Sequence, residues 1–256
     1  MKIPEYQNDL SLQSPILLDR AYKQAKVEKM LAVLADAGAI GAEPKTLAVD
    51  IGCSRGFFSA ALAVHFQRVI GLDIDAHALR VAAEEAPSPN LHYVLGDSLK
   101  IPLPDASADL VICNHVYEHV PSPKQLFDEI HRVLKPDGVC YLGAASRLTL
   151  MEPHYHLPFL SWLPKPLAHG YMRLARKGPY YYETMLTYWG IRQLISRYHV
   201  TDYTLKIVAD PDRFKARDMF PQGGWLDKIP MPVWRVCHDI LPSYIFILRK
   251  QGASHE

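Results

Sequence analysis

Short apolar runs alternate with amphipathic stretches along the first two thirds of the chain. Residues 18–37 carry Val27, Leu31 and Leu34 at helical spacing before Gly38, which predicts a helix that stops at the glycine. Apolar runs typical of buried strands follow at 46–51, 68–74, 91–95, 109–113 and 139–145. Most of these runs are separated by segments that predict helices, at 57–66, 76–86 and 122–134. Strands and helices are therefore expected to alternate from residue 46 onward.

Continuous apolar strands that alternate with helices indicate a parallel sheet covered on both faces. Farther along the chain we predict a helix at 184–198 and strands at 200–208 and 243–250. The segment "LKPDG" at 134–138 predicts a Pro-Asp-Gly turn before the fifth strand. The expected fold class is α/β: a doubly wound, Rossmann-like, seven-stranded and mostly parallel sheet with right-handed crossovers.

The alternation stops at residues 150–183, which are crowded with proline, histidine, tyrosine and tryptophan. Because long irregular connections in compact domains are often lids, we predict an aromatic lid inserted after strand five. A dimer surface and a membrane-surface patch are the alternatives. The membrane-surface patch is considered because residues 155–177 mix Trp, Leu and basic side chains. Pro164 and Pro166 interrupt the part of that stretch that follows Phe159 and favour a lid packed on the protein.

The chain has 256 residues, which suits one domain with an extra element. We therefore assign residues 1–256 to one domain with four parts. These are an N-terminal helical segment (1–40), a ligand-binding core (46–148), the insertion (150–183) and a C-terminal part of the sheet (184–250).

Composition narrows the possible partners. The net charge of +1 does not indicate a nucleic-acid partner. Four scattered cysteines suggest reduced thiols, as in cytoplasmic proteins, rather than disulfides or a zinc site. The first twenty residues lack the apolar core of a signal peptide, and no apolar run is long enough to cross a membrane. We expect a cytoplasmic protein.

Polar residues follow the first four predicted strands, at Asp50, Asp73, Asp97 and Asn114. In open α/β sheets, ligands bind beyond the carboxyl ends of the strands, where the strand order reverses. We therefore expect these four side chains to face one binding crevice.

A glycine turn with Gly52 and Gly56 follows the first strand and lets a ligand approach the backbone closely. Asp50 would repel a phosphate there, and neither a P-loop lysine nor a strict G-x-G-x-x-G is present. Asp73 comes near the spacing at which an acid accepts hydrogen bonds from ribose hydroxyls. The pattern favours a nucleoside that carries a positive charge.

Several motifs in order resemble one known family. "VDIGCSRGFFSAALA", "VIGLDID", "LGDSLKIPLPDASADLVICNHVYEHV" and "LFDEIHRVLKPDGVCYL" lie within residues 46–145. This segment resembles class I S-adenosylmethionine-dependent methyltransferases of the small-molecule type, related to the quinone-biosynthesis methyltransferases. The resemblance implies that S-adenosyl-L-methionine is the cofactor. A nicotinamide dehydrogenase is disfavoured by the glycine spacing and by Asp50.

The resemblance also implies roles for single residues along the cofactor. The methionine part would be surrounded by Asp50, Gly52, Cys53 and Gly56. The adenosine part and the methyl end would contact Asp73, Ile74, Asp97, Ser98, Asn114 and His115. Ser54 replaces the usual middle glycine of the first motif, which is tolerable if its φ is negative, and Ala108 stands where Phe is common.

Methyl transfer from a sulfonium requires alignment of the nucleophile, the methyl group and the sulfur. A base is needed only if the acceptor is a hydroxyl or an acidic carbon. His119 and His115 follow strand four and are the candidate catalytic residues, because histidine titrates near neutral pH. A purely structural hydrogen-bonding role for His119 is the alternative.

Four residues are candidates for contact with the acceptor: Tyr117, His154, Tyr155 and His156. The pair His154 and His156 has a spacing that can bind metal, but no local acid completes a site, so no metal is predicted.

The sequence thus predicts methyl transfer to a small-molecule or glycan-type acceptor, which includes lipid-linked ones, at oxygen. C-methylation of a lipophilic quinone-like or polyketide acceptor is the alternative reaction. A non-catalytic, cofactor-binding scaffold is the alternative of another class. The oligomeric state is left open.

Overall fold

Seven strands form one sheet in the structure, a computed structural model that describes residues 20–85 and 87–251. They are β1 (Lys45–Ile51), β2 (Phe66–Asp73), β3 (Leu91–Leu95), β4 (Ala108–Asn114), β5 (Leu134–Ala145), β6 (Tyr198–Asp202) and β7 (Ser243–Lys250). The spatial order is β3-β2-β1-β4-β5-β7-β6. The first five strands are parallel, and β7 runs antiparallel to both β5 and β6. The predicted seven-stranded, mostly parallel sheet is confirmed.

Eight α-helices are found in the described part of the chain. They are α1 (Arg20–Asp36), α2 (Phe57–Leu62), α3 (Ala76–Glu85), α4 (Pro123–Val133), α5 (Lys165–Leu174), α6 (Tyr188–Leu194), α7 (Thr204–Ala209) and α8 (Met231–Cys237). Short 3₁₀ turns lie at Leu160–Trp162, Leu226–Lys228 and His238–Ile240. Among these helices, none has both the length and the apolar character required to span a bilayer.

Both faces of the sheet are buried under helices, as the continuous apolar strands predicted. One face packs against α4 through Phe127 and Ile130, which are almost fully buried. The other face packs against α1 and α2 through Leu34 and Leu62. Each fully buried large aliphatic side chain contributes about 1.5–3 kcal/mol, so these two layers hold the strand ends in place.

Some predicted boundaries were wrong for identifiable reasons. Helix α2 ends at Leu62, because Phe66 is buried as the first residue of β2, opposite Lys45 of β1. The strand predicted at 200–208 ends at Asp202, whose carboxylate accepts a hydrogen bond from the Thr204 N–H and starts α7. Helix predictions at residues 18, 19 and 86 fall outside the described residues.

Two more sequence predictions were wrong in the second half of the sheet. The predicted Pro-Asp-Gly turn is a bulge within β5: Leu134 pairs with Ala108, and the next pair is Val139 with Leu110. The helix predicted at 184–198 starts only at Tyr188, because the Thr187 hydroxyl caps it by accepting from the Gly190 N–H.

The insertion at 150–183 has a small core of its own. It contains α5 and a buried cluster formed by Leu157, Leu160, Ala168, Met172 and Tyr181. The two prolines expected to interrupt this stretch, Pro164 and Pro166, instead lie at the N-terminus of α5. Backbone N–H groups in the first turn of a helix have no partner within the helix, so proline is tolerated there. The segment is therefore an ordered unit, and its role as a lid stays a prediction.

The hydroxyl of Tyr117 ties the loop after β4 to two neighbouring segments. It donates to the Ala145 carbonyl at the end of β5 (2.5 Å) and accepts from the Leu186 N–H before α6 (3.1 Å). Tyr117 is 1% exposed, so neither backbone group can turn to water when the hydroxyl is removed.

We expect Tyr117→Phe to lower the free energy of unfolding by about 1–3 kcal/mol, because a buried donor and a buried acceptor lose their partner. Urea denaturation followed by circular dichroism measures this change. Tyr171→Phe, in the half-buried surface of the insertion, is the matched control and should change stability by less than about 0.5 kcal/mol. Equal losses in the two variants would contradict the proposed tie.

Candidate active site

The strand order reverses between β1 and β4. The chain runs outward from β1 through β2 to β3, and then returns to place β4 on the other side of β1. In such sheets the loops after the two central strands separate and open a crevice at their carboxyl ends. The four polar residues predicted to share a crevice belong to β1, β2, β4 and the loop after β3, so the topology brings them to this edge.

Asp50 is a buried carboxylate near the end of β1. It pairs with Gly71 of β2 and Ile112 of β4 in the sheet register and is 1% exposed. Burial raises the pKa of its carboxyl to about 7, and the negative charge of Asp73 acts in the same direction. The Ser59 hydroxyl opposes this shift by donating to Asp50 Oδ2 (2.6 Å). A positively charged ligand group beside Asp50 would remove most of that penalty.

The turn after β1 needs glycine at two positions. Gly52 and Gly56 have φ of +65° and +73°, a region that side chains rarely adopt. A Cβ at Gly52 would lie 2.7 Å from a methyl of Val116, and one at Gly56 would lie 2.1 Å from the Tyr93 hydroxyl. The turn therefore lies against neighbouring side chains without any Cβ between them.

The expectation of a negative φ at Ser54 was wrong. Its φ is +49°, so it occupies the left-handed conformation in which the related motif has glycine. Its N–H donates to Asp73 Oδ2 at 2.7 Å, and this bond to a charged acceptor holds the residue in its strained conformation. The substitution is thus accommodated by a contact between β1's turn and β2.

Asp73 ends β2 and is prepared to accept more hydrogen bonds. Its two carboxylate oxygens accept from the backbone N–H groups of Ser54 (2.7 Å) and Asp75 (2.9 Å), and each oxygen keeps a second lone pair. Burial raises its pKa despite these bonds. Exposed apolar side chains adjoin it in sequence and sheet register: Ile74 is 37% exposed, and Leu95, opposite Asp73 in β3, is 62% exposed. An acid bordered by apolar surface suits a ribose with its attached base.

Asp97 and Ser98 lie in the loop after β3. Asp97 is exposed, and its Oδ1 accepts from the Leu99 N–H at 2.8 Å, so it caps the local turn. Ser98 is half-buried. Their predicted contact with the adenine stays a prediction.

Asn114 and His115 close the crevice on the β4 side. A Cβ at Gly143 of β5 would lie 2.0 Å from Asn114 Oδ1, so the amide packs directly over this glycine. His115 has φ of +56° and donates its N–H to the Gly143 carbonyl (2.8 Å). Its Nδ1 lies 3.3 Å from Glu118 Oε1.

A second group of polar side chains adjoins His115 and joins the loop after β4 to the insertion. It consists of Glu118, His119, Glu152, His154 and Glu183, and we call it the acid-histidine cluster. The rings of His119 and His154 meet edge to face at 4.7 Å between centroids. His119 Nδ1 lies 3.8 Å from Glu183 Oε1, and His154 Nδ1 lies 2.7 Å from Glu152 Oε1. All three glutamates are buried.

Burial and neighbouring charge act differently on the members of this cluster. Burial lowers the pKa of His119, which favours the neutral imidazole. Burial also disfavours the charged form of His154, but the hydrogen bond and charge of Glu152 outweigh it and raise the pKa of that imidazole. The pKa of Glu118 is lowered: burial acts upward, but the hydrogen bond and charge of His115 prevail.

The predicted acceptor residues differ in their positions. Tyr155 contacts the cluster, with its hydroxyl 3.4 Å from Glu183 Oε1. His156 is exposed and contributes only its backbone N–H, to the Glu152 carbonyl. Tyr117 is buried and its hydroxyl is engaged by backbone, so it lies beneath the site and not on its surface.

Three glutamates of the cluster are hard to predict from the sequence. Glu118 could have been noticed beside His119, but Glu152 and Glu183 lie at the two ends of the insertion and look like ordinary loop acids. Only the fold places them against His119 and His154. Cys53, expected near the cofactor, is buried in the glycine turn, and a Cβ at Gly71 would lie 2.9 Å from its sulfur.

Comparison with known proteins agrees with this geometry. Residues 49–142 match the family model described as "Methyltransferase domain". A probable S-adenosylmethionine-dependent methyltransferase of Mycolicibacterium smegmatis is 37% identical over 101 residues, 40% of this chain and 38% of that protein. A ubiquinone biosynthesis O-methyltransferase of Psychrobacter arcticus is 33% identical over 108 residues, 39% of this chain and 40% of that protein.

Two further matches extend beyond the core. A malonyl-[acyl-carrier protein] O-methyltransferase of Marinomonas is 31% identical over 137 residues, 51% of this chain and 47% of that protein. The crystal structure of PH0226 from Pyrococcus horikoshii superposes with a TM-score of 0.59 at 18% identity, covering 91% of this chain and 92% of that one. The chain thus spans less than half the length of these three relatives, whereas the fold is matched over most of the chain.

Residues 49–142 thus carry a class I, S-adenosylmethionine-dependent methyltransferase domain, with which the motifs and the sheet order agree. The cofactor of this class is S-adenosyl-L-methionine. The residues at the switch point fit that group, because a buried acid, a glycine turn and a half-buried acid beside apolar surface follow one another along the crevice.

We expect the affinity for S-adenosyl-L-methionine to increase about tenfold from about pH 6 to about pH 8. Burial raises the pKa of the Asp50 carboxyl to about 7 in the free protein. An ammonium group bound beside Asp50 would favour the ionised form, so binding at low pH should release a proton. Isothermal titration calorimetry in buffers of different ionisation enthalpy measures both the affinity and the released proton.

Asp50→Asn is the control for this pH dependence, since it keeps an acceptor for Ser59 and removes the titrating group. The same group also affects stability in the absence of ligand. Its pKa is near 4 in the unfolded chain and about 7 in the folded one, so stability should fall as pH rises between these values and then level off. An unchanged pH dependence of binding in the variant would contradict the role of Asp50.

Proposed function

We propose that the protein transfers the methyl group of S-adenosyl-L-methionine to a hydroxyl oxygen of a small-molecule or glycan-type acceptor. The observation that carries this proposal is the acid-histidine cluster, which adjoins the β4 end of the cofactor crevice through His115 and Glu118. The cluster offers several proton acceptors at the place where an acceptor must meet the methyl group. Methyl transfer to a hydroxyl needs such groups, because the oxygen loses its proton.

We assign the cofactor contacts from the positions of the side chains. Asp50 would face the positive charge of the methionine part, with Gly52, Cys53 and Gly56 forming the turn around it. Asp73 would accept from the ribose hydroxyls, and Ile74 would cover the base. Two further contacts follow from their place at the crevice: Asp97 with Ser98 at the base, and Asn114 at the methyl end.

The bound cofactor supplies a methyl group on a positively charged sulfur, which leaves as a neutral thioether. The protein's own contribution is alignment: the short turn after β1 fixes one side, and Asn114 over Gly143 fixes the other. Because effective alignment alone contributes about 7–11 kcal/mol in favourable cases, the rigid strand ends are central to this reaction. The roles proposed for His115 and His119 are to face the acceptor and to take up its proton.

The insertion supplies half of the proposed acceptor wall. Glu152 and His154 lie near its beginning and Glu183 at its end, while Lys165 holds the base of the segment by donating to the carbonyls of Tyr181, Tyr182 and Glu183. The Thr184 N–H donates to the Glu118 carbonyl (2.7 Å), which joins the insertion to the loop after β4. This arrangement supports the insertion as the element that selects the acceptor.

The charge of the cluster favours a neutral hydroxyl over a carboxylate acceptor. Glu118, Glu152 and Glu183 are each no more than 2% exposed, and in the absence of a bound cation an anionic acceptor would be repelled by them in a poorly screened environment. The named O-methyltransferases among the relatives support oxygen as the methylated atom. The malonyl acceptor named for the Marinomonas relative is acidic and is less compatible with the three buried glutamates.

The proposal is tested by binding and by turnover. Calorimetry should detect S-adenosyl-L-methionine but not NAD, and a panel of hydroxylated acceptors should include at least one that drives formation of S-adenosylhomocysteine. Methylated product identified by mass spectrometry then locates the atom. Turnover only with carbon nucleophiles would overturn the oxygen assignment, and binding of the cofactor without turnover on any acceptor would favour a non-catalytic scaffold.

Asp73→Ala should weaken S-adenosyl-L-methionine binding by at least roughly tenfold, because a lost hydrogen bond to a charged group costs about 1.5–3 kcal/mol. The matched control is Asp137→Ala, an exposed aspartate in the bulge at the start of β5. Both affinities are measured by calorimetry at one pH. If the two variants bind the cofactor equally well, Asp73 does not hold the ribose.

A further inference from the structure

Three side chains of the acid-histidine cluster place ligand atoms close together. One atom each from Glu118, His119 and His154 lies within 4.8 Å of the other two. Glu118 and His119 come from the loop after β4, and His154 comes from the insertion, so two separate segments meet at this point. Such spacing needs only a small contraction to surround one cation with bonds of about 2.0–2.2 Å.

Glu118 has an oxygen that the protein leaves without a hydrogen bond. Its Oε1 lies 3.3 Å from His115 Nδ1, but Oε2 is buried and has no hydrogen-bond partner among residues 20–85 and 87–251. The residue is 1% exposed. A buried carboxylate oxygen without a partner costs about 1–3 kcal/mol or more, which a ligand at this position would recover.

The histidine of the insertion is oriented as metal-binding histidines usually are. His154 Nδ1 lies 2.7 Å from Glu152 Oε1, and the other oxygen of Glu152 accepts from the N–H groups of His154 and Tyr155 at 2.8 and 2.7 Å. A carboxylate on one ring nitrogen fixes the tautomer and leaves the opposite nitrogen as a lone-pair donor. Nε2 of His154 is thereby free to bind a cation.

The charges around the three side chains also favour a cation. Glu118, Glu152 and Glu183 are buried together, and burying several carboxylates is costly unless positive charge accompanies them. The Lys165 ammonium at the base of the insertion donates to three backbone carbonyls and acts electrostatically on Glu183, whereas Glu118 belongs to the loop after β4. A divalent ion held by Glu118 would balance this negative charge at short range.

We propose that Glu118, His119 and His154 bind one divalent transition-metal ion, of which Zn²⁺ is the best match. Two imidazoles and a carboxylate suit Zn²⁺ and leave a fourth position open for an oxygen ligand. Glu152 is a positioning residue that acts through His154. The metal site itself is independent of the proposed function, whereas its role toward an acceptor rests on it.

The open position would receive the acceptor oxygen. With the ion bound, His119 is a metal ligand and no longer the proton acceptor proposed for the metal-free site. The cation lowers the pKa of the bound hydroxyl instead, so the hydroxyl proton leaves to solvent water before transfer. The oxygen–carbon bond then forms as the carbon–sulfur bond breaks, and the electron pair of the broken bond stays on the sulfur. No oxidant or reductant is needed.

The test uses the full chain, freed of metal by dialysis against a chelator. Zn²⁺ affinity is measured in competition with a chromogenic chelator, and Co²⁺ is followed by its visible absorption, which reports four- or five-coordination. We expect one equivalent of each ion per chain. Glu118→Gln and His154→Ala should each weaken Zn²⁺ binding by more than about 100-fold, and Glu152→Gln by about 10- to 100-fold.

His156→Ala is the matched control for Zn²⁺ affinity, since it removes an exposed histidine two positions from His154 and should change the affinity less than about twofold. Thermal melting confirms that each variant is folded. If Glu118→Gln fails to fold, His154→Ala decides, because its side chain is 27% exposed and lies at the cluster's edge. Failure to bind one equivalent, or equal affinity in His154→Ala and His156→Ala, would overturn the site.

Cofactor binding to the same samples separates this inference from the proposed function. If the protein binds S-adenosyl-L-methionine but no Zn²⁺, only the metal-site proposal is refuted. If the protein binds Zn²⁺ through Glu118 and His154 but no cofactor, the metal site is supported and the proposed function is refuted.

Discussion

Buried carboxylates are the constraint on which this site depends. Asp50 lies inside the sheet edge, where it interacts with the hydroxyl and N–H of Ser59 and with the charge of Lys23, and Glu118 keeps one oxygen without any hydrogen bond within the described residues. Burial of such groups opposes folding. The fold tolerates them because the helix layers on both faces and the hydrogen-bonded strands around them stabilise the structure in which they are buried. The same burial makes each of them a strong attractor for positive charge.

The order of the strands turns these separate acids into one surface. Because β4 lies beside β1 although β2 and β3 come between them in the chain, the glycine turn after β1 faces the loop that carries His115 and Glu118. The insertion after β5 then reaches the same loop through the Thr184 N–H and through the His119–His154 contact. The proposed cofactor site and the proposed acceptor site thus meet where the strand order reverses.

The positions of the residues at the strand ends could be predicted from the sequence, whereas the assembly of the acid-histidine cluster could not, for a physical reason. Asp50, Gly52, Gly56 and Asp73 follow from strand ends and turn chemistry, which are local properties. Glu152 and Glu183 are distant in sequence from His119, and no periodicity relates them; only packing of the insertion does. Ser54 shows the limit even locally: its positive φ is held by Asp73, a residue of another strand.

The two halves are also linked by electrostatics. During methyl transfer the positive charge on sulfur disappears, so negative groups near the methyl stabilise the starting cofactor more than the transition state and slow the step. In the proposed arrangement the three buried glutamates lie beside the methyl end and would therefore oppose catalysis if nothing balanced them. A divalent ion held by Glu118, His119 and His154 would cancel this field while leaving Asp50, at the other end, to hold the ammonium group that keeps its charge throughout. In such an arrangement, uncompensated negative charge of the protein lies only beside the group of the cofactor that stays positive during the reaction.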